Sequence, residues 1–298
     1  MAHKAMMNGT AYEIAGGKAM MNGAVYEVGS GKAMSGGAVF PINFRAAFPE
    51  LNEATWEQIR EISDAGQAAN CWSVGDRKAV ALNGTVGALS LDETVYCYII
   101  GIDHNSSYEG SNRIHFQFGY TGLSGGNHIA FIDSGYNSNK SSSPWFNMNK
   151  SSSNAGGWES SLMRTVICPA FKSVMPLELQ AVLKTVTKYS DNVGGNSSPA
   201  SNVTATNDTI FLLSEYEVLG KSSCANDAER NYQTQYAWYS AGNPIRRYRH
   251  SSTTLTAYWW LRSVQKTFSS NFCYIGTSSS ASGQYAHRSF GFAPAFCV

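Results

Sequence analysis

The chain has 298 residues, a formal net charge of +1 and only 14% charged side chains; Ser, Asn, Thr, Gly and Tyr supply its polarity instead. A near-neutral chain without long runs of one sign disfavours nucleic-acid binding, which normally needs a basic face, without excluding it. No apolar run reaches the roughly 18 residues of a membrane-spanning helix. The length fits one large domain or two modest ones. The opening "MAHKAMMNG" has no apolar core of a secretory signal, so export by the general route is not expected.

A repeat comes first. "KAMMNGTAYEIAGG" starts at Lys4, "KAMMNGAVYEVGSG" at Lys18 and a degraded copy, "KAMSGGAVFPINF", at Lys32. Each unit joins a short apolar run to an alternating strand through Asn-Gly or Gly-Gly, the pairs that suit tight hairpin turns. Lone hairpins are barely stable in water, so residues 1–44 are expected to stack as a stalk or attachment segment. The alternative is a flexible linker.

From about residue 45 the composition changes. "LNEATWEQIREISDAGQA" predicts a helix with Thr55 and Gln58 as a capping box and Trp56, Ile59 and Ile62 on its buried face. "CWSVGDRKAVALNG" carries turn signals at Gly75-Asp76 and Asn83-Gly84, and "TVYCYIIGI" (residues 94–102) predicts a buried strand. Residues 103–157 read as long, partly ordered loops with aromatic islands such as "HFQFGY". "GGWESSLMRTVICPAF" predicts a short helix ending near Pro169, and "PLELQAVLKTVTKY" a longer one running from Pro176 to Tyr189. "TIFLLS" reads as a strand, "SEYEVLG" as a turn and "NYQTQYAWYSAGN" as a Tyr-rich helix closed by Gly242. Three strand signals, "AYWWLRS", "NFCYIG" and "GFAPAFCV", alternate with polar loops at the end, giving an α+β domain with a late meander.

The motifs for metal and hydrolytic chemistry are missing: there is no H-E-x-x-H, no phosphate-binding G-x-x-x-x-G-K-[ST] and no G-x-S-x-G. The six cysteines form no C-x-x-C pair, so neither zinc nor a redox dithiol is expected. Reduced buried thiols fit best, with a Cys273–Cys297 bridge as an outside alternative. "DHN" (Asp103 to Asn105) sets a carboxylate beside an imidazole, but a turn that satisfies backbone donors explains it better. Glu215 and Glu217 read as surface or ion-pair residues, and the basic "RRYRH" as a solvated loop. Arg164 and Arg262 follow apolar residues in Trp-containing segments, so each needs a partner; Asp76, Asp208, Glu215 and Glu217 are the candidates. The polar stretches after residue 246 have the Tyr, Ser, Gly and Arg composition of an adaptable binding surface, flanked by the strongest apolar anchors of the chain.

In order, "CWSVGD", "YIIGIDHN", "GGWESSLMR", "TIFLLSEYEVLG", "YWWLRS" and "GFAPAFCV" resemble a domain family of gut bacteria and their phages with a C-type lectin-like fold. Several of its members are target proteins of diversity-generating retroelements, and its phage members act as tail-fibre or receptor-binding proteins. The resemblance covers residues 45–298. It implies a rigid scaffold of Trp158, Arg164, Trp259, Trp260, Arg262, Pro294 and Phe296, and a variable region at about 246–292. The ligand-facing residues would be Arg246, Tyr248, His250, Tyr258, Val264, Phe268, Tyr274, Thr277, Ser279, Tyr285, His287, Arg288 and Phe290. The sequence departs from the family pattern at Val264, where Pro is common, and in "FAPAF". Gln265, Lys266 and Gln284 lie beyond the reach of the usual diversified codon. The acidic, proline-containing calcium loop of sugar-binding members is missing, so neither calcium nor another cofactor is implied. The expected role is recognition, without catalysis, of a surface protein or glycan on a bacterial cell, from a virion or a cell surface, with the repeats forming homotrimers. The alternatives are an enzyme of the formylglycine-generating class, with Cys273 and Cys297 as its thiol pair, and a non-diversified structural tail protein.

Overall fold

The computed structural model describes residues 49–142 and 144–298 in full and, before them, the backbone of seven strands. The chain divides into two units, Met1–Glu50 and Leu51–Val298. In the first, β1 (His3–Met7) pairs with β2 (Thr10–Ala15), β3 (Lys18–Met21) with β4 (Ala24–Glu27), and β5 (Lys32–Ser35) with β6 (Ala38–Pro41). The closing pairs Met7↔Thr10, Met21↔Ala24 and Ser35↔Ala38 recur at the same place in each copy. β7 (Arg45–Ala46) joins β4, so the order is β1-β2-β3-β4-β7, with β5-β6 as a separate ladder. The side chains of these seven strands lie outside the described residues.

The second unit is α+β. α1 (Trp56–Asp64) begins with the expected capping box: Gln58 N donates to Thr55 Oγ1 at 3.1 Å and Thr55 N to Gln58 Oε1 at 2.9 Å. Trp56 and Ile59 are buried, and Ile62 packs against the core. One-turn α2 (Ala68–Cys71) leads to the hairpin of β8 (Arg77–Val86) and β9 (Leu89–Ile102). Asn83-Gly84 is not the turn; both residues pair with β9, opposite Asp92 and Leu91. The chain reverses at Gly87, whose φ of 59° a side chain would resist.

After α3 (Ser106–Glu109) comes β10 (Ile114–Tyr120), buried at all seven positions. It is the central strand of a five-stranded sheet ordered β14-β20-β10-β9-β8. This corrects the reading of residues 103–157 as loops for residues 106–120; beyond Tyr120 the described residues up to Gly156 are loop except for a two-residue strand. A strand covered on both faces shows no polar alternation, and "HFQFGY" hides His115 and Gln117 in the interior. The segment that follows, with β11 (Ile129–Ala130), is tied down by buried Asp133. Its carboxylate accepts from Gly135 N, Phe146 N and Ser289 Oγ at 2.6–2.8 Å.

α4 (Gly157–Ser160), a π-helical turn (Met163–Ile167) and α5 (Cys168–Ser173) run nearly end to end. Pro169 therefore opens α5 rather than ending a helix, in the first turn where its missing N–H costs nothing. α6 stops at Leu177–Val182, short of the predicted Tyr189, because the chain turns extended at Leu183 and β12 (Val186–Asp191) begins. Leu183, Val186 and Tyr189 fit a helical stripe, but the Thr185-Val186-Thr187 run favours a strand, and pairing with β13 (Val203–Asp208) decides it.

β14 (Ile210–Phe211) is followed not by a turn but by α7 (Glu215–Leu219), capped by Ser214 and Glu217 and ended by Gly220 at φ 65°. Of the Tyr-rich helix expected over residues 231–243, only one-turn α8 (Ala237–Ser240) forms, just before Gly242. β15 (Arg247–Arg249) lies between β11 and β16 (Ser252–Ala257). A meander forms, but not from the three expected strands: β17 (Trp259–Val264), β18 (Asn271–Ile275) and β19 (Ala281–Tyr285) pair antiparallel in sequence order, and β19 arises within the stretch read as a polar loop. β20 (Ala295–Cys297) leaves it for the five-stranded sheet, where Phe296 stacks on Phe116 at 5.2 Å.

Candidate functional site

The residues expected to carry function divide into a buried polar frame and an outer surface. Arg262 on β17 is fully buried. Its Nε donates to Ser190 Oγ at 2.9 Å, Nη1 to Leu212 O at 2.9 Å, Nη2 to Glu217 Oε1 at 2.9 Å, and Nη1 also to Glu217 Oε2. Lys188 Nζ adds bonds to Glu217 Oε1 (3.1 Å), Tyr236 Oη (2.8 Å) and Glu109. Burial alone would raise the Glu217 carboxyl, but Arg262 and Lys188 outweigh it and hold the group well below the usual carboxylate range. His104 of "DHN" stacks on Tyr236 at 3.6 Å; burial, then Lys188, pushes it down to about 3, so it stays neutral. His104, Glu109 and Glu217 offer ligand atoms close enough for a metal, yet Lys188 Nζ bonds both carboxylates. We read this cluster as a structural node.

Other scaffold residues behave alike. Asp208 accepts from Trp158 Nε1 at 3.0 Å and Arg164 Nε at 2.6 Å. Trp260 Nε1 donates to Phe146 O at 2.9 Å, and Trp260 N to Gly291 O at 3.0 Å. Trp259 is fully buried beneath the Arg247 guanidinium, 4.8 Å from its ring. Pro294 O accepts from Phe118 N at 3.0 Å. Glu215, expected as a surface or ion-pair residue, is neither among the described residues: it is buried and accepts the loop N–H groups of Ser223, Cys224 and Ala225.

All six cysteines are free, so there is no Cys273–Cys297 bridge. Cys297 Sγ lies 3.2 Å from His115 Nδ1, while Cys273 neighbours Cys224. Burial pushes the Cys297 thiol up to about 12 and raises Cys273 too, the reverse of what an activated thiol pair needs.

The ligand-facing set does not form one patch. Val264 and Phe290 are each 1% exposed and belong to the core: Val264 pairs with Phe272, and the Phe290 ring packs 4.9 Å from Trp260. His250 also turns inward. Its Nδ1 accepts the Ile132 N–H at 3.0 Å, and its ring lies 5.8 Å from Phe131. Phe268 is 53% exposed at the β17–β18 turn, whereas Thr277 and Ser279 lie at the opposite end of β18.

The remaining residues fall into three groups. Arg246, Tyr248 and Ser279 line a cleft of about 590 Å³, with Arg77, Tyr120 and His128 on the same walls. Half-buried Tyr258 and Tyr274 (5.6 Å apart) pack on Phe290; Tyr136 Oη accepts the Tyr258 N–H at 2.7 Å, and the Arg249 guanidinium covers the Tyr136 ring at 4.5 Å. Tyr285 and His287 stack at 5.9 Å beside Arg288, whose guanidinium is bound to Asn137. Tyr285 pairs with Asn271, three residues from Tyr274, and so falls on the other side of the pleat.

Arg77, Tyr120, His128, Tyr136 and Arg249 were missed from sequence. Tyr120 ends β10, which was misread as loop, and His128 bridges to it, so only recognition of β10 could have placed them. Arg249 was visible in "RRYRH".

A family model described as a domain of unknown function, DUF6273, matches residues 139–298, just over half of the chain, and the chain belongs to that family. Neither a curated protein nor a solved structure matches it.

Proposed function

We propose that this DUF6273 protein is a receptor-binding display protein. Its C-terminal half presents an adaptable surface on a frame of the C-type lectin type. The observation that carries the reading is the contrast between adjacent residues 246 and 247. Arg247 is wholly buried, bonded to Phe118 O, Ile129 O and Tyr98 Oη at 2.6–3.0 Å; Arg246 is exposed beside the cleft and has no ion pair or side-chain hydrogen bond among the described residues. Side chains such as Arg246, Tyr248 and Tyr285 can change without disturbing the buried bonds that hold their strands. That is the property a diversified region requires. A phage tail fibre or cell-surface adhesin, binding a protein or glycan on a bacterial cell, uses such a surface. Trimers built through residues 1–44 would multiply weak single contacts.

The test is labelling of a panel of intact gut bacteria with fluorescent full-length protein. We expect one or more strains to be labelled, and Arg246→Ser with Tyr248→Ser to lose labelling, the melting temperature of Arg246→Ser alone being unchanged. Labelling of no strain, or equal labelling by the double variant, overturns the reading. Light scattering on the chain with and without residues 1–44 tests the trimer; a monomer in both cases removes it.

A further inference from the structure

We infer that the cleft beside Arg246 binds an acidic saccharide, its carboxylate or phosphate held between the guanidinium groups of Arg77 and Arg246. This rests on the receptor-binding reading and names the chemistry of what the surface takes. The cleft, at about 590 Å³, falls within the range of small-molecule sites, about 300–1,000 Å³. Two arginines line it and no carboxylate does. Neither arginine forms an ion pair among the described residues. Two cations facing one cavity without an acid repel each other until an anion enters.

The two cations differ in how they are held. The Arg77 guanidinium lies 3.4 Å from the Tyr120 ring centroid, and its Nη1 donates to Gly122 O at 2.8 Å and also to Gly125 O. It is fixed before any ligand arrives, so little entropy is lost when it pairs. Arg246 is exposed and can swing onto the outer side of a bound anion. His128 adds no charge to the wall: burial, then Arg247, holds its imidazole well below the ordinary histidine range, and its two nitrogens face Tyr98 Oη and Arg246 O. Half-buried Tyr248 packs against the core on one side and lines the cleft on the other, where it can meet a sugar ring. Asn127 and Ser279 supply polar groups for hydroxyls.

The site joins a fixed half with an adaptable half. Arg77 and Tyr120 belong to the central sheet, whereas Arg246, Tyr248 and Ser279 belong to the segment proposed to vary. The anion would be read by the fixed half and the rest of the sugar by the variable half.

The test is calorimetric titration of the full chain with glucuronate, glucose 6-phosphate and glucose. We expect at least one of the two anions to bind, glucose to bind about tenfold more weakly or less, and Arg246→Ala to weaken the anion by about tenfold at unchanged melting temperature, as loss of a charge-assisted hydrogen bond does. Binding of glucuronate alone assigns the carboxylate, and of glucose 6-phosphate alone the phosphate. Glucose binding as tightly as the anions, no binding of either anion at tens of millimolar, or an unaffected Arg246→Ala variant overturns the inference. Labelled cells that the anions fail to compete would mark the ligand class as wrong while the receptor-binding reading stands. Anion binding without any labelled cell would do the reverse.

Discussion

Arg262 and Arg246 are the same residue type 16 positions apart, and the chain uses them in opposite ways. Arg262 lies in the interior, satisfied by a carboxylate, a hydroxyl and carbonyl oxygens. Arg246 lies in solvent at the rim of a cleft. A buried charge contributes to one structure only when every neighbour is in place, so the interior region cannot tolerate change. The rim has no such dependence. The comparison teaches that permission to vary is set by bond partners, not by residue type.

The largest expected effect comes from breaking the interior. Arg262→Ala strands the buried Glu217 carboxylate beside Lys188 and should cost about 3–5 kcal/mol by urea unfolding. If the variant does not fold, Arg262→Lys serves, with a smaller loss because one ammonium cannot reproduce the fork. A loss below 1 kcal/mol for Arg262→Ala would remove the node.

Protonation sharpens the comparison next. Buried Glu229 is pushed from 4.5 up to about 7, first by burial. Its folded form prefers the proton, so the stability it contributes is present below pH 4.5 and lost as pH rises through 7. Glu229→Gln keeps the shape of the protonated acid toward Asp191 N and Ser263 Oγ. Relative to wild type it should gain about 2–3 kcal/mol between pH 5 and 8. His104 works from the acid side: lowered from 6.5 to about 3, its contribution is present above pH 6.5 and lost as pH falls toward 3. Parallel pH profiles for wild type and Glu229→Gln would contradict the assignment.

The frame also reaches the backbone. A Cβ on Gly119 would lie 2.1 Å from Arg247 Nη1, so Gly119→Ala must displace that guanidinium and should cost about 2 kcal/mol or more. At the rim, Ser279 holds a φ of 64°. Ser279→Val should cost about 1–2 kcal/mol, whereas Ser279→Asn should be near neutral. Variation at this position is thus narrower than at Arg246.

Much of the frame was legible in the sequence because its signals are local. Thr55 and Gln58, Gly242, and the strands at Trp259-Trp260 and Phe272 carry their own turn and pattern chemistry, whereas β19 arose in a stretch read as a polar loop. The Ser214–Glu217 capping box was equally local and was overlooked. β10 was hidden because a strand buried on both faces holds His115 and Gln117 without alternation. The break between α6 and β12 depends on pairing with β13, which no local pattern reveals. Among the site residues, composition singled out the polar, Tyr-rich stretches after residue 246, from which Arg246, Tyr248 and Ser279 line the cleft, but facing directions depend on bulges and neighbours. Val264, His250 and Phe290 turn inward for that reason, and Arg77 and Tyr120 come from a part of the chain that carried no binding signal.

The most direct test of the account is the pair Arg246→Ala and Arg247→Ala, measured by thermal unfolding under one condition. The account predicts that Arg246→Ala stays within about 0.5 kcal/mol of wild type, while Arg247→Ala loses about 2–4 kcal/mol and drops the melting temperature by about 5–15 °C. Equal losses, or the larger loss at Arg246, would contradict it.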